Sequence, residues 1–220
     1  MIITIDGPAG SGKSTAARNL AEALGIAYLD TGATYRAVTL AAIRANVPLE
    51  DEEAMLALAR RSDIRLLPSR QGVRVLLDGQ DVTREIRAAE VSEKTYYVAR
   101  SPAIRQVLVE LQRKIGACLG SFVAEGRDQG SVAFPQADVK FYMDATPEIR
   151  AKRRYQEMKA DGQDVRYADV LASLIQRDGR DRGRAVAPLI KPPGAVEIDA
   201  TDKDPRQVLA EMMLHLGSRR

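Results

Sequence analysis

The chain opens on IITI, a β-branched run that stops at Asp6-Gly7; after Lys13 the apolar positions Ala17, Leu20, Ala21 and Leu24 recur at helical spacing before Gly25. That pattern predicts a strand, a glycine loop and a helix closed by glycine. IAYL at 26–29 predicts a second strand and TYRAVTLAAIRA at 34–45 a second helix. EDEEAMLALARR at 50–61 begins acidic and ends basic, the order a helix dipole favours, and predicts a third helix. From about Asp63 to Thr83 the period falls to two: DIRLL, a turn at SRQG, VRVLLDG and DVT predict a small antiparallel patch inserted between helices. Helical spacing resumes at Ile86. SPAIRQVLVELQRKI at 101–115 offers Ser101 as cap, Pro102 at the first helical position, and Ile104, Val107, Leu108, Leu111 and Ile115 on one face. SFVAEG at 121–126 and VKFYMDA at 139–145 predict two buried strands, and TPEIRAKRRYQEMKADG and YADVLASLIQRDGRDRGR two basic helices. AVEIDAT at 195–201 predicts a last strand, and DPRQVLAEMMLHLG a closing helix with Val208, Leu209, Met212, Met213 and Leu216 inward. Strands and helices in this succession predict an α/β fold with a parallel sheet covered on both faces.

Composition adds bounds. The chain has 220 residues, 45% of them hydrophobic, enough for one sizeable core and read as a single domain over 1–220. The formal charge of +3 with a pI near 9.0 excludes neither an anionic substrate nor nucleic acid, but no long lysine-rich tract favours the latter and no nucleic-acid partner is expected. Arginine supplies 25 of the 33 basic residues, and its planar fork suits bidentate phosphate or carboxylate recognition. The lone cysteine, Cys118 in IGACLGSFV, is expected to be a small buried hydrophobe. The lone histidine, His215, stands next to the apolar face of the closing helix and is not expected to hold a metal. With no basic leader before MIITID and no apolar run of about 18 residues, a cytoplasmic protein without a membrane partner is expected.

The chemistry starts at GPAGSGKS, which satisfies G-x-x-x-x-G-K-S between a strand and a helix. Gly7, Pro8, Ala9, Gly10, Ser11 and Gly12 would turn backbone amides onto phosphate oxygens, at the positive end of a helix opened by Lys13, Ser14 and Thr15. Lys13 would reach the outer phosphates and Ser14 would ligate Mg2+, so an ATP site is expected here. Asp6 is expected to orient the loop or the waters of its metal. The absence of an N-K-x-D guanine-reading pattern argues against a GTPase, and the short chain against a motor or helicase, which leaves a small-molecule kinase.

Candidates for the acceptor side come from LDTGATYR, which ends at Arg36, and AEGRDQG, which sets Glu125, Arg127 and Asp128 just past a buried strand. Ligands gather at such strand ends in open α/β sheets. Arg36 and Arg127 suit a phosphate, whereas Asp128 suits a hydrogen-bond donor such as an exocyclic amine.

ITIDGPAGSGKS, YLDTGATYRAVTLAA, VAEGRDQGSVAFP and RDGRDRGRAVAPL together resemble the bacterial cytidylate kinase family, from residue 2 to about 216. The resemblance implies a P-loop NTPase-type three-layer sandwich with a parallel central sheet, a monophosphate-binding region at about 36–100 containing the 63–83 insertion, and a mobile helical lid at about 148–162. It implies phosphoryl transfer from ATP to CMP or dCMP with Mg2+, with small nucleotides as partners; the sequence shows no oversized surface apolar stripe, and a monomer is expected. Carried over by motif, Arg36, Arg127 and Arg184 resemble the clamp on the acceptor phosphate, and Arg105 and Asp128 the cytosine readers. Arg177 and Asp181 resemble the sugar-binding pair, with Thr31 and Tyr35 flanking the monophosphate. Arg153 and Arg154 resemble the lid arginines that neutralise the transferring group, in a segment that also holds Arg150 and Lys159; Glu125 would orient metal-bound water. Where the family commonly has a base-reading serine this chain has Tyr96, which leaves Ser92, Thr95 or the tyrosine hydroxyl for that task.

Two rivals stand beside this reading: a kinase for UMP, AMP or shikimate, and a nucleotide-gated RNA binder whose arginines track a polyanion. In RDGRDRGR, Arg177, Asp181 and Arg184 fall at i, i+4 and i+7 on one helical face, whereas Asp178, Arg180 and Arg182 are expected to face solvent.

Overall fold

The structure, a computed structural model, describes residues 1–69, 72–160 and 162–217. Its elements in chain order are β1 (Ile2–Asp6), α1 (Lys13–Leu24), β2 (Ala27–Asp30), α2 (Gly32–Arg44), α3 (Glu52–Arg61), β3 (Ile64–Ser69), β4 (Gly72–Leu77) and β5 (Gln80–Asp81). After a 3-10 turn at Glu85–Arg87 follow α4 (Ala89–Arg100), α5 (Pro102–Leu119), β6 (Phe122–Gly126), β7 (Val139–Asp144), α6 (Pro147–Ala160), α7 (Tyr167–Arg182), β8 (Val196–Asp199) and α8 (Pro205–Gly217). The backbone groups into two compact units, Met1–Gly25 with Glu125–Arg220 and Ile26–Ala124, the division falling inside β6.

In the first unit β1 lies between the end of β6 and β7, with β8 beyond. The strands β1 and β7 are parallel, pairing Ile3 with Val139 and Asp6 with Tyr142, and β7 is parallel to β8. Ile3, Thr4, Ile5 and Asp6 are all wholly buried, which is why this strand reads as a continuous run and not as an alternation. Helix α1 packs on β1 and α8, and α6 packs along α7. The tip of the glycine loop enters that helical pair, where Ala9 is buried with Ala151, Val170 and Leu174. Gly7 has φ +152°, and a Cβ there would collide with the Met143 carbonyl oxygen, so the loop's first glycine is demanded by close approach of β7.

In the second unit α2 is buried almost all round, through Ala33, Tyr35, Ala37, Val38, Leu40, Ala41 and Ala42, because α3, α4, α5 and β4 all pack against it. Strands β3, β4 and β5 form the expected antiparallel patch, with Ile64 opposite Leu77 and Leu66 opposite Val75. Ile64, Leu66, Val73, Val75 and Leu77 are buried while Arg65 and Arg74 are exposed, the alternation of a one-sided sheet. The centre of the expected SRQG turn, Arg70 and Gln71, lies outside the described residues. Asp51 caps α3 by accepting the Ala54 N–H at 3.0 Å.

Three expectations are corrected. Ser101 does occupy the cap position of α5, but its side chain makes no capping bond. The face of α5 that is buried runs through Ile104, Arg105, Leu108, Val109, Gln112 and Gly116. Cys118, two residues past Gly116, is turned to the opposite side and is exposed. In α8 the buried residues are Val208 and Met212, and Met213, one position round the helix, is exposed.

Candidate active site

The first unit carries the phosphate loop. Lys13 is 4% exposed and curls over its own loop, donating to the Pro8 carbonyl at 2.6 Å and to Ser11 Oγ at 3.3 Å. Burial pulls its ammonium down from 10.5 to about 7; Arg127 and Arg177 push the same way, and Glu125 and Asp6 oppose them. Ser14 Oγ donates to Glu125 Oε1 at 2.8 Å. This hydroxyl and carboxylate, from the first turn of α1 and the end of β6, are hard oxygen donors of the kind Mg2+ takes. Among the described residues no group of three or more His, Cys, Asp or Glu is placed to hold a metal ion. An ion held at Ser14 and Glu125 would therefore draw its other ligands from nucleotide phosphate and water.

Beyond β6 the chain makes a π-helical turn, Gln129–Ala133, and Asp6 explains how it is held. The two Asp6 oxygens accept the N–H groups of Gln129 and Gly130, each at 2.7 Å. The carboxylate thus orients the loop after β6, whereas the sequence pointed to the phosphate loop or its metal. Burial pushes Asp6 up from 3.8 to about 7 against those two bonds. Replacing Asp6 with asparagine sets an amide N–H against a backbone N–H and should cost about 2–3 kcal/mol at pH 5. A raised folded-state pKa gives stability that is present below the unfolded value and lost as pH rises through the folded one, so wild type loses stability between pH 4 and 7 and the asparagine variant does not. Denaturant titrations at pH 5 and 8 should accordingly show the gap between the two proteins shrinking at the higher pH.

Asp181 gathers the arginines. Its Oδ2 accepts Arg127 Nε at 3.0 Å and its Oδ1 accepts an Arg184 Nη at 2.8 Å, and Arg127 also donates to the Gly126 carbonyl at 3.1 Å. Burial alone would raise the Asp181 pKa, but Arg127, Arg184 and Arg177 together hold it below the usual carboxylate range. Lys13, Ser14, Glu125, Arg127, Arg177, Asp181 and Arg184 therefore belong to one electrostatic cluster at the strand ends of this unit. Asp128, 3% exposed, lies next to that cluster in sequence, with the Gln129 amide 3.4 Å from its Oδ1.

The second unit holds the other candidates. Asp30, at the end of β2, accepts the Ala33 N–H at 3.1 Å and guanidinium donors of Arg36 at 2.8 Å and Arg87 at 3.2 Å. Burial would raise its pKa, but the two arginines and the amide overcome this and lower it. Arg36 keeps a buried Nε–H with no acceptor among the described residues. Arg105 is 4% exposed, with its guanidinium 5.4 Å from the Tyr35 ring centroid and a bond to the Ala99 carbonyl at 3.2 Å. Thr31 is buried at the start of α2, where its carbonyl accepts the Thr34 hydroxyl at 2.8 Å. Tyr96 is 37% exposed and edge-on to Tyr97 at 5.7 Å, with Arg100 over both rings. The Thr95 hydroxyl instead donates to the Val91 carbonyl at 2.6 Å and lies 3.4 Å from that of Thr39.

The basic helices divide by burial. Arg153 donates to the carbonyls of Ala200 and Lys203, Arg154 pairs with Glu157 on the surface, and Lys159 lies 4.0 Å from Asp164. Arg150, in the same segment, is 1% exposed and bonded at 2.6 Å to Asp178. Asp178 was expected to face solvent and is instead 3% exposed, because the buried stripe of α7 runs through Val170, Leu174 and Asp178 at intervals of four. Sequence reasoning missed Asp30, Arg87 and the Arg150–Asp178 pair. Asp30 carried a usable signal, an acidic residue closing a strand six positions before a candidate phosphate arginine.

Among the described residues no helix is long and apolar enough to cross a membrane. A crystal structure of an uncharacterized protein from Eubacterium ventriosum has a TM-score of 0.52 at 16% identity, covering 99% of this chain and 98% of that one, a likeness of fold alone. The cytidylate kinase of Caldanaerobacter subterraneus subsp. tengcongensis is 48% identical over 207 residues, 94% of this chain and 90% of that protein. That of Carboxydothermus hydrogenoformans is 44% identical over 217 residues, 99% and 97% of the two chains. The family model for cytidylate kinase matches residues 3–217, and the chain belongs to that family.

Proposed function

We infer that this chain transfers the γ-phosphoryl group of ATP to CMP or dCMP, giving CDP or dCDP. The observation that carries the reading is the cluster of the first unit, where the phosphate loop with Lys13 and the Ser14–Glu125 pair shares its surroundings with Arg127, Arg177, Asp181 and Arg184. One set suits a triphosphate and its metal, the other a second phosphate, and a kinase with a phosphate acceptor needs both.

In this reading residues 7 to 15 cradle the ATP phosphates, with Lys13 on the outer pair. Arg36, Arg127 and Arg184 hold the acceptor phosphate; Arg36 brings a buried donor that a phosphate oxygen would satisfy. Asp128 accepts from the exocyclic amine of cytosine and Arg105 serves as the other reader of the base, with Thr31 and Tyr35 flanking the monophosphate. UMP, which lacks the amine, would not supply that hydrogen bond. Arg177 and Asp181 take the sugar hydroxyls, so Asp181 would exchange its arginine partners for the nucleotide. The monophosphate-binding region spans about 36–100, and the helical segment at about 148–162 acts as a lid that brings Arg153 and Arg154 to the transferring group.

The acceptor oxygen is already ionised, so these residues need supply no general base. Their work is alignment, charge neutralisation and exclusion of competing water. Mg2+, which Ser14 and Glu125 fit, supplies further charge neutralisation when bound. Initial rates with ATP, Mg2+ and each of CMP, dCMP, UMP and AMP test the base assignment. CMP and dCMP should exceed UMP by about a hundredfold or more in kcat/KM, and Asp128→Asn should narrow that gap while leaving ATP affinity within about twofold. UMP turned over as well as CMP would refute the Asp128 contact.

A further inference from the structure

The guanidinium of Arg150, in the first turn of α6, is shared among three protein partners. Its Nε donates to the Ala145 carbonyl at 2.8 Å, one terminal nitrogen to the Ala9 carbonyl at 2.9 Å, and the other lies 2.6 Å from Asp178. Ala9 is the third residue of the phosphate loop. In a trans peptide the C=O and the following N–H point in opposite directions, and no peptide bond among the described residues is cis. Fixing the Ala9 carbonyl against α6 therefore directs the Gly10 N–H away from α6. Gly10 has φ +76°, and a Cβ there would come within 3.2 Å of the Arg150 backbone oxygen, so the loop and the first turn of α6 meet in close contact.

We propose that Arg150 is a positioning residue for the phosphate loop: its guanidinium holds the Ala9–Gly10 peptide so that the Gly10 N–H serves the nucleotide phosphates. The charge of Arg150 is offset by Asp178, so the effect is one of aim and not of added field. The proposal rests on the reading of residues 7–14 as the ATP phosphate loop. Removing both partners, in Arg150→Met with Asp178→Leu, keeps the net charge and avoids an unpaired buried carboxylate, and such exchanges are commonly neutral for stability. Full-length wild type and variant are compared by thermal melts with ATP or CMP added and by the Michaelis constants for each.

The expected result is a melting temperature near that of wild type, an ATP KM raised about 10- to 100-fold with a weakened ATP-induced thermal shift, and a CMP KM within about twofold. An unchanged ATP KM in a folded double variant would overturn the proposal. Should the double variant fail to fold, Arg150→Lys decides: it keeps Asp178 paired, but one ammonium cannot span both carbonyls and the carboxylate. It should show the same selective loss of ATP affinity, and wild-type ATP affinity there would likewise overturn the proposal. If wild type binds ATP without phosphorylating CMP, the functional reading fails, while the ATP thermal shifts of the variants still judge Arg150.

Discussion

Lys13→Met is expected to lower kcat/KM by about a thousandfold or more while leaving the protein as stable as wild type or more so. On the proposed reading the loss follows from removing the ammonium of the phosphate loop, since charge stabilisation of transferring phosphates in a water-poor site is worth on the order of several kcal/mol. The gain follows from the burial of that ammonium. Lys13 is 4% exposed, its hydrogen-bond partners among the described residues are a carbonyl and a hydroxyl, and burial with the nearby Arg127 and Arg177 works against its charge. Methionine fills the space without a charge to desolvate, and the Pro8 carbonyl keeps a bond from the Ser11 hydroxyl at 3.2 Å. Thermal melts beside steady-state rates check the pair of effects. A variant that is both inactive and strongly destabilised would assign Lys13 to the scaffold instead.

The second large effect concerns the acceptor. Arg127→Met should reduce kcat/KM for CMP by about a thousandfold, with ATP affinity changed about threefold at most. The fold should survive, because Asp181 retains Arg184 at 2.8 Å and Lys13 loses a repulsive neighbour. Arg184→Ala should follow the same pattern more weakly, since Asp181 then retains Arg127. Arg182→Ala serves as the control. Its side chain is 53% exposed with its nearest carboxylate at 3.8 Å, so activity should stay within about twofold. Isothermal titration with ATP and CMP separately would distinguish loss of acceptor binding from damage to the loop.

What was legible in the sequence was what local pattern encodes. The glycine loop, the acidic ends of the buried strands and the change of period at residue 63 each occupy a short window, and each falls where expected. What was illegible depended on helix phase or on distant partners. Cys118 lies in IGACLGSFV, where nearly every neighbour is small or apolar and no polar residue marks the outer face. Asp178 reads as one charge among many in RDGRDRGR, and only its partner 28 residues earlier shows that it is buried. Arg150 is likewise one of several basic residues in α6, and its three bonds reach Ala145, Ala9 and Asp178, of which only Ala145 is near in sequence. For Asp6 the residue was singled out correctly but its partner was not, since a carboxylate at the end of β1 can serve either of two neighbouring loops, and its two bonds go to Gln129 and Gly130.

The most direct test of the whole account follows the phosphoryl group itself. Wild-type protein is incubated with ATP labelled at the γ-phosphate, Mg2+ and CMP, and the products are separated. The label is expected as the β-phosphate of CDP, with one ADP formed for each CDP and little label released as inorganic phosphate. Label found chiefly as inorganic phosphate, at a rate indifferent to CMP, would contradict this expectation.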